Sequence, residues 1–439
     1  MRRFIVHAVF AFSLSLAVHA EQWPSFRGPA GNGISHEKNL PLQWGANQNV
    51  VWRTPLPGPG NSTPVVWGNR IFVSQAVEAD NRRTLICFDR HNGSMLWQKG
   101  VTQSLKEPSI QDNPPCSPSP VVDGKRIVAW FGSAGIVCYD FKGNELWRCD
   151  LGQPSHEWGY ASSPVFYHDL CLLNFGPGKN SSLLALEKNT GRIAWRFELP
   201  RIPSDAKWKD YGGDATVDAK PEAAKISDIA ASWATPLLIR ASTGREEVVV
   251  AEPLRLLALA PRNGKLLWSC SGPSIGAYSS AFFGDGIVGL AGSGLHNVAL
   301  AVRPGGDRDV TGTHRLWLQP MSDGKGSIGS GVIFQGHMFL VSVGGFAHCL
   351  DLKTGKTIWE ERLTGTGARN GCWSSLLLAG DRLYVPNKNA DVFVLRASAK
   401  FECLATNSIG GEPMNASLAA SDGAIFLRTD KALWCISHN

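Results

Sequence analysis

Five segments of the chain are close copies of one another. CFDRHNGSMLW ends at Trp97, CYDFKGNELW at Trp147, ALEKNTGRIAW at Trp195, ALAPRNGKLLW at Trp268 and CLDLKTGKTIW at Trp359. No other feature restricts the fold as much, because a unit this small cannot bury an apolar face alone and is stable only when copies stack. The shared pattern is apolar, Cys or Ala, apolar, Asp, a short turn, Gly and, four positions on, Trp. Its first half alternates with period two, as a strand does. The acidic residue can accept hydrogen bonds from turn amides, and the glycine suits a left-handed turn position. The unit reads as a β-hairpin. Asp89, Asp140 and Asp351 recur on separate copies, so they cannot converge on one metal ion and are expected to cap turns.

A second signature precedes each hairpin. STPVVWGNRIFVS, SPSPVVDGKRIVAW, SSPVFYHDLCLLNF, SLLLAGDRLYVPN and SLAASDGAIFLRT each run Ser-rich, apolar, turn, apolar. Two successive hairpins make a four-stranded antiparallel meander, the blade of a β-propeller. Trp52, Trp97, Trp147, Trp195, Trp268, Trp317 and Trp359 mark seven fourth strands, and Leu404 stands as an eroded eighth. The steps between them are 45, 50, 48, 73, 49, 42 and 45 residues; the long step carries a polar, turn-rich stretch over about 200–226, read as an excursion loop. After Leu404 the sequence supplies three strands, and NQNVVWRTPL near its start supplies a lone fourth. The prediction is an all-β, eight-bladed propeller of four-stranded antiparallel blades over 48–439. An N-terminal strand completes the C-terminal blade and leaves no open edge. Each terminal tryptophan is expected to lie between blades over a neighbour's turn, burying ~150–250 Å².

Residues 1–20 read as a cleavable secretory signal peptide: Arg2 and Arg3, an apolar run, then small residues before a cut after Ala20. The expected location is periplasmic or secreted. No Cys stands at that junction, so no lipid anchor is expected, and no later run reaches membrane length. Lys and Arg never cluster beyond pairs, which argues against nucleic acid. Ten cysteines in an exported chain suggest disulfides. However, Cys87, Cys138, Cys349 and Cys435 share one repeat position with Ala185, Ala258 and Ala301. A position that takes either residue is small and buried, so most of these thiols are expected to be free and packed.

The Asp, Gly and Trp spacing resembles the tryptophan-docking repeat of the pyrroloquinoline quinone (PQQ) propellers. The resemblance runs from about Trp44 to the C-terminus. Within residues 21–47, WPSFRGPAGNGIS resembles the lead-in of secreted bacterial proteins with PQQ-like repeats, expected to lie over one face of the ring. Two branches share the repeat: quinoprotein alcohol dehydrogenases, and the non-catalytic propeller lipoprotein of the outer-membrane barrel assembly machinery. The first implies PQQ, a calcium site of carboxylate and amide oxygens, a carboxylate base and an adjacent cysteine pair covering the cofactor. This chain has no adjacent cysteines and is shorter than those enzymes. It also lacks GxSxG, HExxH and Walker patterns. The favoured expectation is a monomeric, non-catalytic scaffold for protein partners or cell-envelope components, with no cofactor. The alternatives are a PQQ-dependent oxidoreductase and a carbohydrate-binding propeller.

Propeller geometry says where a site would be. The segments GPGNSTP, DNPPCSPSP, HEWGYASSP, AASWATP, GAYSSA, GSIGSG, RNGCWSS and PMNAS each precede an innermost strand and should ring one mouth of the channel. They supply the candidate ligand-binding residues Asn61, Asp112, Glu157, Trp158, Tyr160, Trp233, Tyr278, Arg369, Asn370, Trp373 and Asn415. Aromatics beside amides and a few charges suit a sugar, a peptide or a small planar ligand. Glu157 and Arg369 stand out because packing does not call for charge there, whereas His156 reads as a solvent-facing loop residue. The same segments also admit a packing reading, with small hydroxyl residues filling a narrow channel and Trp233 and Trp373 wedged between blades.

Overall fold

The computed structural model describes residues 21–178, 180–200, 231–272, 276–292, 297–369 and 371–438. The proposed signal peptide, most of the 200–226 excursion and Asn370 lie outside the described residues. Eight antiparallel four-stranded meanders are arranged in a ring. Counted along the chain from innermost to outermost strand, blade 1 runs from Val65–Trp67 to Met95–Thr102 and blade 2 from Val121–Val122 to Glu145–Cys149. Blade 3 runs from Val165–Tyr167 to Ile193–Glu198, blade 4 from Leu237–Arg240 to Leu266–Ser271 and blade 5 from Phe282–Gly284 to Arg315–Pro320. Blade 6 runs from Val332–Phe334 to Thr357–Arg362, and blade 7 from Leu377–Ala379 to Cys403–Ser408. Blade 8 is composite. Ala419–Ser421, Ala424–Arg428 and Ala432–Ile436 come from the C-terminal end, and Val50–Pro55 pairs antiparallel to the last of them, with Trp52 opposite Cys435. The ring closes as the sequence predicts.

The repeat residues work as one device. In each blade that carries the tryptophan, its direct cross-strand partner is the Cys or Ala of the motif, as in Cys87 with Trp97, Ala185 with Trp195 and Cys349 with Trp359. Partners directly opposite share a face of the sheet, so a large indole leaves room only for a small neighbour. The indole N–H of Trp52, Trp97, Trp147, Trp195, Trp317 and Trp359 then donates to a backbone carbonyl in the next blade's turn, at 2.8–3.1 Å. In five of the six the ring lies on that turn's glycine; the turn that receives Trp359 has none. A Cβ added at Gly191, where φ is +72°, would sit 2.5 Å from Trp147. Three of the turns are capped by Asp89, Asp140 and Asp351, whose carboxylates accept from the amides that follow. All ten cysteines are free; eight are buried, Cys149 is half-buried and Cys403 is exposed.

Two junctions depart from the repeat. Blade 7 pairs Val394 with Ala405 and Leu395 with Cys403, so Leu404 is the extra residue of a bulge and Ala405 holds the place of the tryptophan. The assignment of Leu404 as the eighth marker is therefore corrected by one residue. Trp44 from the N-terminal segment supplies the missing bulk. It stacks on Tyr384 of blade 7 (centroids 6.4 Å, 18°) in a core shared with Ala424, Trp434 and Ile436 of blade 8. At blade 4, Trp268 bonds Glu247 of its own sheet instead (2.7 Å). There the third hairpin of blade 5 is longer, and its Arg308–Asp309 adds in parallel to the outer edge of blade 4.

The inner strands are tied by a second ring. The backbone N–H of Thr63 donates to Ser119 Oγ, Ser119 to Ser163, Ser163 to Thr235 and Thr235 to Ser280. Ser280 then donates to Ser330, Ser330 to Ser375, Ser375 to Ser417 and Ser417 back to Thr63. The distances are 2.8–3.3 Å, with one hydroxyl per blade. At the composite seam two arginines cross in opposite directions. Arg428 of blade 8 donates to Ser62 O, Ser74 O and Gln75 Oε1, and Arg90 of blade 1 donates to Ser421 O.

Glu252 ends the second strand of blade 4 (Glu246–Glu252), is 5% exposed and leaves Oε1 without a partner. Burial pushes its carboxyl up to about 8, against the opposing pull of bonds with Ser232 and Asn174.

Two outcomes follow from this packing. Trp147→Ala should cost about 3–5 kcal/mol in a denaturant titration. Leu146→Ala, one residue earlier but 49% exposed, should change stability by less than about 0.5 kcal/mol. Comparable losses would refute interblade docking. For Glu252 the folded-state value lies above the unfolded one, so its contribution is fully present below pH ~4.5 and is lost as pH rises to about 8. Across that window each pH unit is worth about 1.4 kcal/mol. The stability of Glu252→Gln relative to the native chain should therefore rise by a few kcal/mol between pH 4.5 and pH 8. A pH-independent difference would count against the buried neutral carboxyl.

Candidate functional site

The loops leaving each outermost strand return to the channel on one face. Their last side chains, just before the hydroxyl ring, converge on a cavity of about 360 Å³, within the size range of small-molecule sites. Asn61, Asp112, Trp158, Trp233, Tyr278, Trp373 and Asn415 all line it, joined by Ile110, Asn113, Ala161 and Ile328. Every blade contributes, because every blade has one such loop.

One arc of the wall is aromatic. Trp158 and Trp233 stack at 5.8 Å and 21°, Trp233 and Tyr278 at 5.0 Å and 25°, and Trp158 and Tyr278 at 6.1 Å and 30°. Centroid separations this short are incompatible with coplanar rings, so the three overlap as offset stacks, with Trp233 buried and Trp158 and Tyr278 half-buried. Ala231–Ser232 pairs in parallel with Gly276–Ala277, stitching together the loops that carry Trp233 and Tyr278. Trp233 Nε1 donates to Gly159 O (3.0 Å), and Asn113 Nδ2 donates to Trp158 O (2.7 Å). Gly276 is required by close approach, since a Cβ there would lie 2.5 Å from the Tyr278 ring. Burial pushes the Tyr278 phenol up to about 12, so it stays neutral.

The opposite arc is polar. Lys388 Nζ donates to Asp112 Oδ1 at 2.6 Å and sits 4.5 Å from the centroid of the Trp373 ring, a cation–π contact. Asn61 Nδ2 donates to Asp112 O (2.8 Å), and Asn415 Nδ2 donates to the same carbonyl (3.2 Å) and to Asp112 Oδ1 (3.4 Å). Both amides thus spend their donors on Asp112, while Asn61 Oδ1 and Asn415 Oδ1 are buried and unpartnered.

Three anticipated residues are not part of this wall. Glu157 and Arg369 are exposed and do not line the cavity. Tyr160 turns into the core at 3% exposure, its ring 4.9 Å from that of Trp130. Asn370 lies outside the described residues. His156 is not solvent-facing. It is half-buried with its ring edge-on to Trp158 and Trp233, its Nδ1 accepts from Trp158 N–H, and burial lowers its pKa. Lys388 escapes a reading of the sequence because it lies on the hairpin between the second and third strands of blade 7. Those hairpins reach the same face as the loops that precede the innermost strands.

The far end of the channel is covered by the N-terminal segment. Trp23 exchanges backbone bonds with Val66 of blade 1, Val122 of blade 2 donates to Pro24 O, and Ile34–Ser35 pairs in parallel with Leu378–Ala379 of blade 7. Phe26 lines the channel together with the hydroxyl ring. The buried Arg27 guanidinium donates to Gly31, Asn32, Ser330 and Gly331 carbonyls, and burial lowers its pKa to about 9. The mouth is therefore the top of a well.

A PQQ–calcium centre asks for several carboxylate and amide oxygens around a cation. Asp112 is the one carboxylate among the lining residues, and Lys388 already places a cation on it. Among the described residues no group of three or more His, Cys, Asp or Glu is arranged to hold a metal ion. The donor set does not fit that cofactor.

In solved structures, the fold is similar to BamB from Moraxella catarrhalis (TM-score 0.57, 13% identity, 88% of this chain and 99% of that one). It is also similar to a quinohemoprotein alcohol dehydrogenase from Pseudomonas putida (0.61, 12%, 95% and 80%) and to a computationally designed protein (0.58, 11%, 88% and 99%). At such identities the likeness speaks for the fold alone. No curated protein matches the chain. The family model described as outer membrane protein assembly factor BamB matches residues 43–113, 81–282 and 307–400, well over half of the sequence, and the chain belongs to that PQQ-like propeller family.

Proposed function

We propose that the protein is a non-catalytic binding scaffold of the cell envelope, periplasmic or secreted, which engages a protein partner or envelope component at its mouth. One fold serves both the assembly factor and the alcohol dehydrogenase, so the lining must decide between them. The observation that carries the reading is the neutralised wall. The lining's carboxylate is paired with Lys388, the Asn61 and Asn415 amides are turned onto the Asp112 backbone carbonyl, and the remaining surface is aromatic or aliphatic. Such a wall offers contact area and orientation but, among the described residues that line it, no carboxylate other than the paired Asp112. Ile110 and Leu105, exposed at 37% and 50%, extend the apolar surface outward along the loop into blade 2.

The rival is a PQQ-dependent oxidoreductase. After incubation with PQQ and calcium and gel filtration, the full chain should retain no stoichiometric cofactor and should reduce no dye with alcohols or sugars. Photoreactive p-benzoylphenylalanine at position 110 should give a discrete envelope adduct in the native cell, weakened by Trp158→Ala. Stoichiometric PQQ with turnover would overturn the scaffold reading.

A further inference from the structure

We propose that the well takes a neutral sugar ring, its C–H face against the half-buried rings of Trp158 and Tyr278 and its hydroxyls directed at the Asn61 and Asn415 side of the wall. This deepens the scaffold reading and rests on it for the location of the binding site.

The aromatic arc selects a flat partner. Aromatic faces carry negative quadrupole charge and attract the weakly positive hydrogens of a saturated ring. Trp233 is buried and stacked against both Trp158 and Tyr278, which holds those two half-buried rings in place along the wall. The facing wall selects donors. Asn61 Oδ1 and Asn415 Oδ1 are acceptors with no partner, and leaving such groups unpaired costs about 1–3 kcal/mol each. A hydroxylated ring is apolar on one face and rich in O–H donors at its rim.

Charge removes the other flat ligands. Lys388 is committed to Asp112 and to the Trp373 face, and among the described residues no Lys or Arg lines the cavity. A planar polyanion would find no cation waiting. An organic cation would meet Lys388 in the place it needs. A neutral polyhydroxylated ring has neither conflict, and the volume of about 360 Å³ admits one ring with a second at the rim.

The test titrates the full chain, by calorimetry and tryptophan fluorescence, with methyl glycosides of glucose, galactose, mannose and N-acetylglucosamine and their disaccharides. Benzyltrimethylammonium is the cationic control. At least one saccharide should bind with a Kd of about 1 mM or tighter. Asn61→Ala should weaken it about fivefold and Trp158→Ala about tenfold, while Trp158→Phe stays within about threefold. Near-UV circular dichroism and an unchanged melting temperature show that each variant is folded. Binding of benzyltrimethylammonium without any saccharide overturns the sugar assignment and leaves the well as a binding site. Silence of every probe beside a persisting adduct at position 110 overturns the inference while the scaffold reading stands. Saccharide binding beside a lost adduct supports the inference and removes the protein-docking part of that reading.

Discussion

Every blade hands its neighbour a backbone amide at the hub, six of the eight also hand on an indole at the rim, and the whole ring depends on those two handholds. A four-stranded meander has two faces and two edges to hide, and stacking radially hides only the faces. The rim contact fixes spacing, because the indole must lie on a turn with no Cβ at Gly93, Gly143, Gly191, Gly264 or Gly355. The hub contact fixes register, because each hydroxyl must meet the preceding blade's amide at about 2.9 Å. Eight such bonds, each contributing ~0.5–1.5 kcal/mol net, return to their starting point only when the blade number and tilt agree. Adding or removing a blade would break both circuits.

The weakest places in those circuits are where the chain spends extra material. The blade 7 junction has no docking indole, and Trp44 is inserted there. The blade 8 seam joins strands from opposite ends of the sequence, and Arg428 and Arg90 are threaded across it. The segment that delivers Trp44 first crosses beneath the channel, so closing the ring and flooring the well are one act of folding. Arg27 shows what this requires. A guanidinium buried without a carboxylate is tolerated because four backbone carbonyls accept from it, two of them in blade 6.

Much of the architecture was legible in the sequence because it is local and repeated. Asp, Gly and Trp at fixed spacing state the turn, its left-handed residue and the indole that covers it. Leu404 was misplaced because the turn before the last strand of blade 7 is one residue longer than in blades 1, 3, 4 and 6, while the bulge itself recurs in every blade. The hydroxyl ring was visible only as Ser-rich segments, since its meaning needs all eight blades side by side. In the mouth, Trp158, Trp233, Tyr278 and Trp373 were found because propeller geometry fixes where a loop ends. Side-chain direction was not fixed, because loops have no periodicity. Tyr160, two residues from Trp158, therefore points into the core, while Glu157, one residue away, points to solvent. Lys388 belongs to a different class of turn that shares the same face.

The Asp112–Lys388 pair decides what kind of well this is. A lone carboxylate in a half-enclosed aromatic cup would draw cations. With Lys388 at 2.6 Å and the Asn415 amide at 3.4 Å, that charge is spent inside the wall. The ammonium is likewise spent, on the carboxylate and the Trp373 face. Selectivity then falls to shape and hydrogen-bond polarity, and the two unpaired carboxamide oxygens make the polarity one-sided. A propeller with an unpaired acid at this mouth would be suited to chemistry; one with the acid neutralised by its own lysine is suited to holding something.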